Sequence, residues 1–251
     1  MISDVSTLSW TQLNERVKTA KNPKVLLPIG SFEQHGPHLP LATDTIIANH
    51  ISQAVLRKTE NCFLMPPLIL GCSVEHMGFP GTISLQTETL TNIILDIMIS
   101  LRNSRLTKVF IINGHGGNRA TIDSTLIKLK HEYSDMEVYS FTIIDLVKKK
   151  YGEIRKSAKR FVGHADEIET SMMMTIIPEL VNMQKAIAEE PASPRVISFE
   201  EDDLAKVSFG WKATDLTKSG TLGDPQTASS QKGRILIDYA VETISNVVNS
   251  L

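Results

Sequence analysis

Val25-Leu26-Leu27-Pro28-Ile29 runs straight into Gly30-Ser31-Phe32-Glu33-Gln34-His35-Gly36-Pro37-His38, and Asp44 follows. The apolar run reads as a strand buried on both faces, and the Gly/Pro-rich stretch behind it as a loop. Strands of that kind belong to parallel sheets covered by helices on either side. The loop places a carboxylate, an imidazole and a second carboxylate at the end of a buried strand, where open α/β sheets carry their sites.

The same grammar recurs downstream. Val109-Phe110-Ile111-Ile112 empties into Asn113-Gly114-His115-Gly116-Gly117-Asn118, and Gly163-His164-Ala165-Asp166-Glu167-Ile168-Glu169-Thr170-Ser171 opens a Met-rich apolar stretch. Around these clusters the periodicity predicts strands over 24–30, 62–65, 108–112 and 137–144. It predicts helices beginning near Ser9 and over 44–59, 87–102, 119–132, 167–177 and 226–248, with Asn118 as the cap of the helix that starts at Arg119. Strands alternating with helices predict βαβ units: an α/β fold, a three-layer α/β/α sandwich around a mostly parallel sheet. One domain spanning 1–251 is expected. Pro191, Pro194 and the acidic run Glu200-Glu201-Asp202-Asp203 interrupt the pattern over about 188–220. That excursion, with Trp211 in it, reads as a lid over a pocket or as a subunit contact.

Composition excludes several classes. With 251 residues the chain can bury a sizeable core, and 41% hydrophobic and 22% charged residues are ordinary for a globular protein. A net charge of −2 gives no electrostatic case for nucleic acid or an anionic membrane. No apolar run approaches the roughly 18 residues of a membrane span, no signal-peptide pattern opens the chain, and Cys62 and Cys72 are its only cysteines. A cytoplasmic protein without disulfides is the expectation.

Each histidine alone is an ordinary loop or core residue. Three clusters of His and carboxylate together point to a metal site with mixed nitrogen and oxygen ligands. His76 and His131 read as surface residues and His50 as a core candidate. Gly114, Gly116 and Gly117 allow close approach to a ligand and precede a helix N-terminus, which suits an anionic group.

These residues also carry a resemblance. Glu33-Gln34-His35-Gly36 with Asp44 resembles the first motif of the creatininase (creatinine amidohydrolase) family. Asn113-Gly114-His115 resembles its second motif, and His164 to Ser171 its third. Gly78-Phe79-Pro80-Gly81-Thr82 is similar to the family's Phe-Pro-Gly-Thr turn, and Thr227-Ala228 with Lys232-Gly233 to its C-terminal element. The resemblance implies a homo-oligomer, a hexamer, and two divalent ions per chain (Zn²⁺, Mn²⁺ or Fe²⁺). It implies Glu33, Asp44 and His115 on one ion, and His35 and Asp44 on the other, with a water between them made acidic by both. His164 matches the family's proton-transfer histidine, and His38 is its rival.

The chain also departs from creatininase itself. A Glu that completes the second metal there is Gly117 here, so Glu167 is the candidate replacement and Glu169 the alternative, otherwise a carboxylate at a helix N-terminus. Aromatic pocket positions look like Gly116 and Arg160, and Arg160 favours a larger or anionic substrate. The resulting expectation is a metal-dependent amidohydrolase acting on a non-peptide or cyclic amide C–N bond, a formamide rather than creatinine. Creatinine itself and a cofactor-precursor peptide are the alternatives, and a non-catalytic metal-binding protein is the reading from another class.

Overall fold

Side chains alternate across the first core strand, so Val25, Leu27 and Ile29 enter one core and Leu26 enters another. The computed structural model describes residues 3–158, 163–192 and 210–251. In chain order the elements are β1 (Ser3–Asp4), α1 (Trp10–Thr19), β2 (Lys24–Ile29), α2 (Thr43–Lys58), β3 (Cys62–Leu64), α3 (Thr87–Asn103), β4 (Lys108–Asn113), α4 (Arg119–Glu132), β5 (Glu137–Thr142), α5 (Ile143–Ile154), α6 (Glu167–Ile176), α7 (Ala213–Leu216) and α8 (Ser230–Ser250).

The strands form one parallel sheet in the order β1-β3-β2-β4-β5. On one face Val25, Leu27, Phe63, Val109 and Ile111 pack with Val17, Leu90, Ile94 and Ile122 from α1, α3 and α4. On the other, Leu26, Leu64, Phe110 and Ile112 meet Ile47, Ile51, Ile168, Leu236 and Ile244 from α2, α6 and α8. Each of these side chains contributes about 1.5–3 kcal/mol by leaving water. The α/β expectation, a parallel sheet between two helical layers, is what the structure shows.

Three local readings change. The strand expected to reach Ile144 stops at Thr142, because α5 starts at the next residue and buries Ile143, Val147 and Tyr151 along one face. Asn118 does not cap α4: its amide receives Cys72 N–H at 2.8 Å and donates to Gly30 O at 2.9 Å. The last helix begins at Ser230 rather than Gln226, because Pro225–Thr227 forms a 3-10 turn and Ser229 caps α8. Of the irregular 188–220 segment, residues 193–209 lie outside the described residues. No helix among the described residues is long and apolar enough to cross a membrane.

The central pair sets the site. β2 and β4 are registered from Lys24↔Lys108 to Ile29↔Asn113. From β2 the chain goes on to its neighbour β3, and from β4 to β5 on the opposite side. The loops leaving β2 and β4 therefore part at the switch point of the sheet, which opens a crevice between them.

Candidate active site

The loop after β2 is held from outside by the Phe79-Pro80-Gly81-Thr82 turn. Thr82 Oγ1 accepts Gln34 N–H at 3.1 Å, and Phe32 O accepts Ile83 N–H at 2.9 Å. The loop after β4 is held from inside: Gly114 N–H donates to Ile29 O at 2.8 Å. A Cβ on Gly114 would collide with the carbonyl oxygen of Asp44. Only glycine lets this loop lie against the first turn of α2, and that contact brings His115 to Asp44.

Asp44 stands between two histidines. Its Oδ1 is 3.1 Å from His35 Nε2 and its Oδ2 is 3.0 Å from His115 Nδ1, with Ser31 Oγ donating to Oδ2 at 2.7 Å. Glu33 Oε2 lies 3.2 Å from His115 Nε2, and Glu33 Oε1 lies 3.5 Å from His76 Nε2 and 3.6 Å from His164 Nδ1. Glu169 Oε2 is 3.7 Å from His35 Nε2 and accepts Ala165 N–H at 2.6 Å. Three overlapping triads result: Glu33/His35/Asp44, His35/His164/Glu169 and Glu33/His76/His164, each with its ligand atoms within 4.8 Å.

Burial and charge pull these groups in opposite directions. Burial lifts the Glu33 carboxyl to about 7 against the pull of His115, and lifts Glu169 to about 8. Burial opposes charge on His35 and His115, yet Asp44 beside the first and Glu33 with Asp44 beside the second hold both at about 10. Asp44 is also penalised by burial, but the two histidines keep it well below the carboxylate range. Burial and the charge on His35 push His164 well below the usual imidazole value, so it is neutral.

The ring tautomers test whether a metal fits. His35 Nδ1 donates to Glu33 O at 3.1 Å, His115 Nε2 to Cys72 O at 2.8 Å and His164 Nε2 to Gln34 O at 2.6 Å. A carbonyl only accepts, so in each ring the second nitrogen is left facing a carboxylate oxygen with its lone pair. Lone pair against carboxylate is repulsive unless a proton or a cation lies between them, and a ligating histidine anchored through its other N–H has this arrangement. Glu33 adds two fully buried oxygens without any hydrogen-bond partner. Imidazole and carboxylate donors suit Zn²⁺, Mn²⁺ or Fe²⁺. The residues fit the implied ions.

Glu33, His35, Asp44, His115 and His164 are thus brought together as the loops suggested. Glu167 is not. Its carboxylate accepts Tyr151 O–H at 2.8 Å and Ser157 N–H at 3.1 Å and pairs with Lys232 Nζ, on the far side of α6. Glu169 is the carboxylate that faces His35, which corrects the choice between the two. His38 is turned away as well: its Nε2 shares a hydrogen bond with Thr170 Oγ1 at 2.9 Å, and it is absent from the cavity wall.

The cavity beside the cluster measures about 300 Å³ and is lined by Glu75, His76, Gly116, Gly117, His164 and Trp211, among others. Gly116 and Gly117 line this cavity, whereas Arg160 falls outside the described residues. His76 is the residue that sequence reasoning missed. It is buried rather than a surface residue, lies against the His164 ring at a tilt of 31° with centroids 4.2 Å apart, and meets Trp211 edge-on at 6.2 Å. Its signal was the position of Glu75-His76 just ahead of the Phe79–Thr82 turn that supports the first loop. His131 is exposed and His50 half-buried.

Comparison with known proteins places the chain among relatives of one kind. A mycofactocin precursor peptide peptidase of Mycobacterium ulcerans is 33% identical over 230 residues, 88% of this chain and 82% of that protein. A creatinine amidohydrolase of Pseudomonas putida is 27% identical over 97% of this chain and 95% of its own length. A formylaminopyrimidine monophosphate deformylase of Methanothermobacter thermautotrophicus is 26% identical over 90% and 88%. Among solved structures, one titled "Creatininase Mn" superposes with a TM-score of 0.83 at 26% identity, covering 100% of this chain and 98% of that one. The family profile of creatininase, described as creatinine amidohydrolase, matches residues 6–248; the chain belongs to the creatininase family.

Proposed function

We propose that this protein is a divalent-metal amidohydrolase that cleaves the C–N bond of a small amide, of the formamide kind. The observation that carries the reading is the juxtaposition of an ion-ready carboxylate–imidazole cluster with a neutral His164 on the wall of the same cavity. Glu33, Asp44 and His115 would hold one ion, and His35, Asp44 and Glu169 a second. Bound there, divalent ions polarise the amide carbonyl and bring the ionisation of water near neutral pH.

The chain's own residues do the rest. His164, anchored on Gln34 O, keeps its Nδ1 lone pair toward the cluster, where it takes a proton from the attacking water and returns it to the leaving nitrogen. Among the described residues, Gly116 and Gly117 contribute backbone but no ring and Trp211 offers one aromatic wall, which favours a slim acyl group over a flat ring sandwiched between aromatics. A cavity of about 300 Å³ is at the small end for ligand sites, which also favours a small amide. The relation to the mycofactocin precursor peptide peptidases supports a second reading, cleavage of a precursor peptide.

The test is hydrolysis of formamides, lactams including creatinine, and short peptides by protein loaded with Zn²⁺ or Mn²⁺, with chelated protein as control. Release of formate is the expected result. Cleavage of the peptides alone would install the peptide reading, and inactivity toward every amide would remove both. His164→Ala should keep its ions and lose turnover by roughly 10²–10⁴-fold. The loss should be smaller on an activated ester, whose leaving group needs no proton.

A further inference from the structure

We propose that His76 is the hydrogen-bond donor to the carbonyl oxygen of the amide bound in the cavity, and that Gln34 is the positioning residue that holds it in that role. The proposal rests on the amidohydrolase reading above. Distance alone would count His76 with the ligand candidates, since it shares a triad with Glu33 and His164. The hydrogen bonds separate it from them.

Gln34 is buried, and its amide orientation is fixed by three partners. Gly36 N–H donates to its Oε1 at 2.9 Å, its Nε2 donates to Gly220 O at 3.0 Å, and the same Nε2 reaches His76 Nδ1 at 2.9 Å. Reversing the amide would set N–H against N–H and oxygen against oxygen. His76 Nδ1 must therefore accept, and the ring proton sits on Nε2. Gly220, at φ +84°, makes this approach possible, because any Cβ there would overlap Gln34 Oε1. The His76 Nε2–H is directed into the site. Glu33 Oε1, at 3.5 Å, is too distant for a well-formed bond.

Two neighbouring rings thus present opposite faces of the same chemistry. His164 offers a lone pair and His76 offers a proton, and both line the cavity. This is the division of labour that amide hydrolysis requires. When the water oxygen bonds to the carbonyl carbon, the C=O π pair moves onto oxygen, which accepts the His76 N–H. When that pair returns, the C–N bond breaks, the nitrogen keeps the bonding electrons, and it takes the proton that His164 removed from the water. Amide and water become acid and amine, and His76 ends as it began. A fixed donor aimed at developing negative charge in a water-poor site is worth roughly 10²–10³ in turnover.

Two measurements test this. In ¹⁵N-histidine-labelled protein, a long-range ¹H–¹⁵N correlation spectrum assigned by loss of the signal in His76→Phe should show the His76 proton on Nε2. Adding Zn²⁺ should shift the resonances of His35 and His115 and leave the His76 proton in place. Gln34→Glu, which presents only acceptors to Nδ1, should move that proton to Nδ1. In turnover of a formamide, His76→Phe should lower kcat roughly 10²–10³-fold with KM and bound metal little changed, and His76→Gln should recover part of the loss. Gln34→Glu should be slow although His76 is intact. A proton on Nδ1 in the parent protein, coordination of Zn²⁺ by His76, or a loss of kcat that tracks a loss of metal would overturn the assignment. Inactivity of the metal-loaded parent on all amides would instead defeat the amidohydrolase reading, and the donor role with it, even with the tautomer as described.

Discussion

Glu167 and Glu33 are both buried carboxylates, and their surroundings differ in kind. Glu167 accepts hydrogen bonds from Tyr151, Lys156 and Ser157 and is paired with Lys232, which also donates to Thr227 O at 2.6 Å. Although burial works against its charge, Lys232 and those donors hold it below the usual carboxylate value. Glu33 has no well-formed hydrogen bond to either oxygen, and burial lifts it to about 7 against the pull of His115 and Ser73. A buried carboxylate without donors is costly. The strut between α6 and α8 carries its own cation, whereas the crevice between the β2 and β4 loops could hold one in the cluster proposed above. The supply of donors around an acid, more than its burial or charge, separates the two roles.

Removing the cation from the strut tests the contrast most severely. Lys232→Met should strand Glu167 and cost about 3–5 kcal/mol in urea unfolding of chelated protein, with ion stoichiometry unchanged in the folded fraction. Restoration by the double change Lys232→Met with Glu167→Gln would locate the cost in the orphaned charge. Glu33→Gln should behave in the opposite way: chelated protein unfolds no more easily than the parent, and bound Zn²⁺ falls. A large loss of metal-free stability would mean that Glu33 serves the fold as Glu167 does.

Glu169→Gln should remove about one of the two ions proposed per chain, and Glu167→Gln neither, as read by metal analysis of the purified variants. The smallest effect concerns pH. His35 and His115 are raised from 6.5 to about 10, so the folded chelated protein keeps protons that the unfolded chain sheds. Their stabilising contribution is complete below about 6.5 and is lost as pH rises toward 10. Glu33, raised from 4.5 to about 7, adds the same trend at lower pH. Thermal melts of chelated protein should therefore decline from pH 7 to 10. Binding Zn²⁺ at pH 7 should release protons, measurable in weak buffer. A flat melting profile would show that the cluster does not hold them.

How much of this was legible follows from the distance over which each signal acts. Val25 to Ile29 and Val109 to Ile112 announce buried parallel strands within a few residues, and the segments behind them carry Glu33, His35, Asp44 and His115 on their face. Glu167 and Glu169 could not be told apart in that way. Two residues apart on a helix, they point about 200° from one another, and which one looks inward depends on how α6 docks against α8. The clue was Lys232, a cation on the apolar face of α8 that demands a buried acid. His76 lies in an irregular stretch without periodicity, and only the fold places it beneath Gln34. Asn118 looked like a cap because its residue type caps well, but tertiary partners at Cys72 and Gly30 claim its amide.

The register of β2 on β4, ending at Ile29↔Asn113, acts as a ruler for the whole crevice. A slip by one residue would displace the following loop by about 3.3 Å and turn every strand side chain to the opposite face. His115 would then leave Asp44, and the donors would be parted. An ion that binds only the gathered donors lends its binding energy to the correct alignment alone. The metal of this protein would thus serve during assembly as well as turnover, as a proofreader of strand pairing.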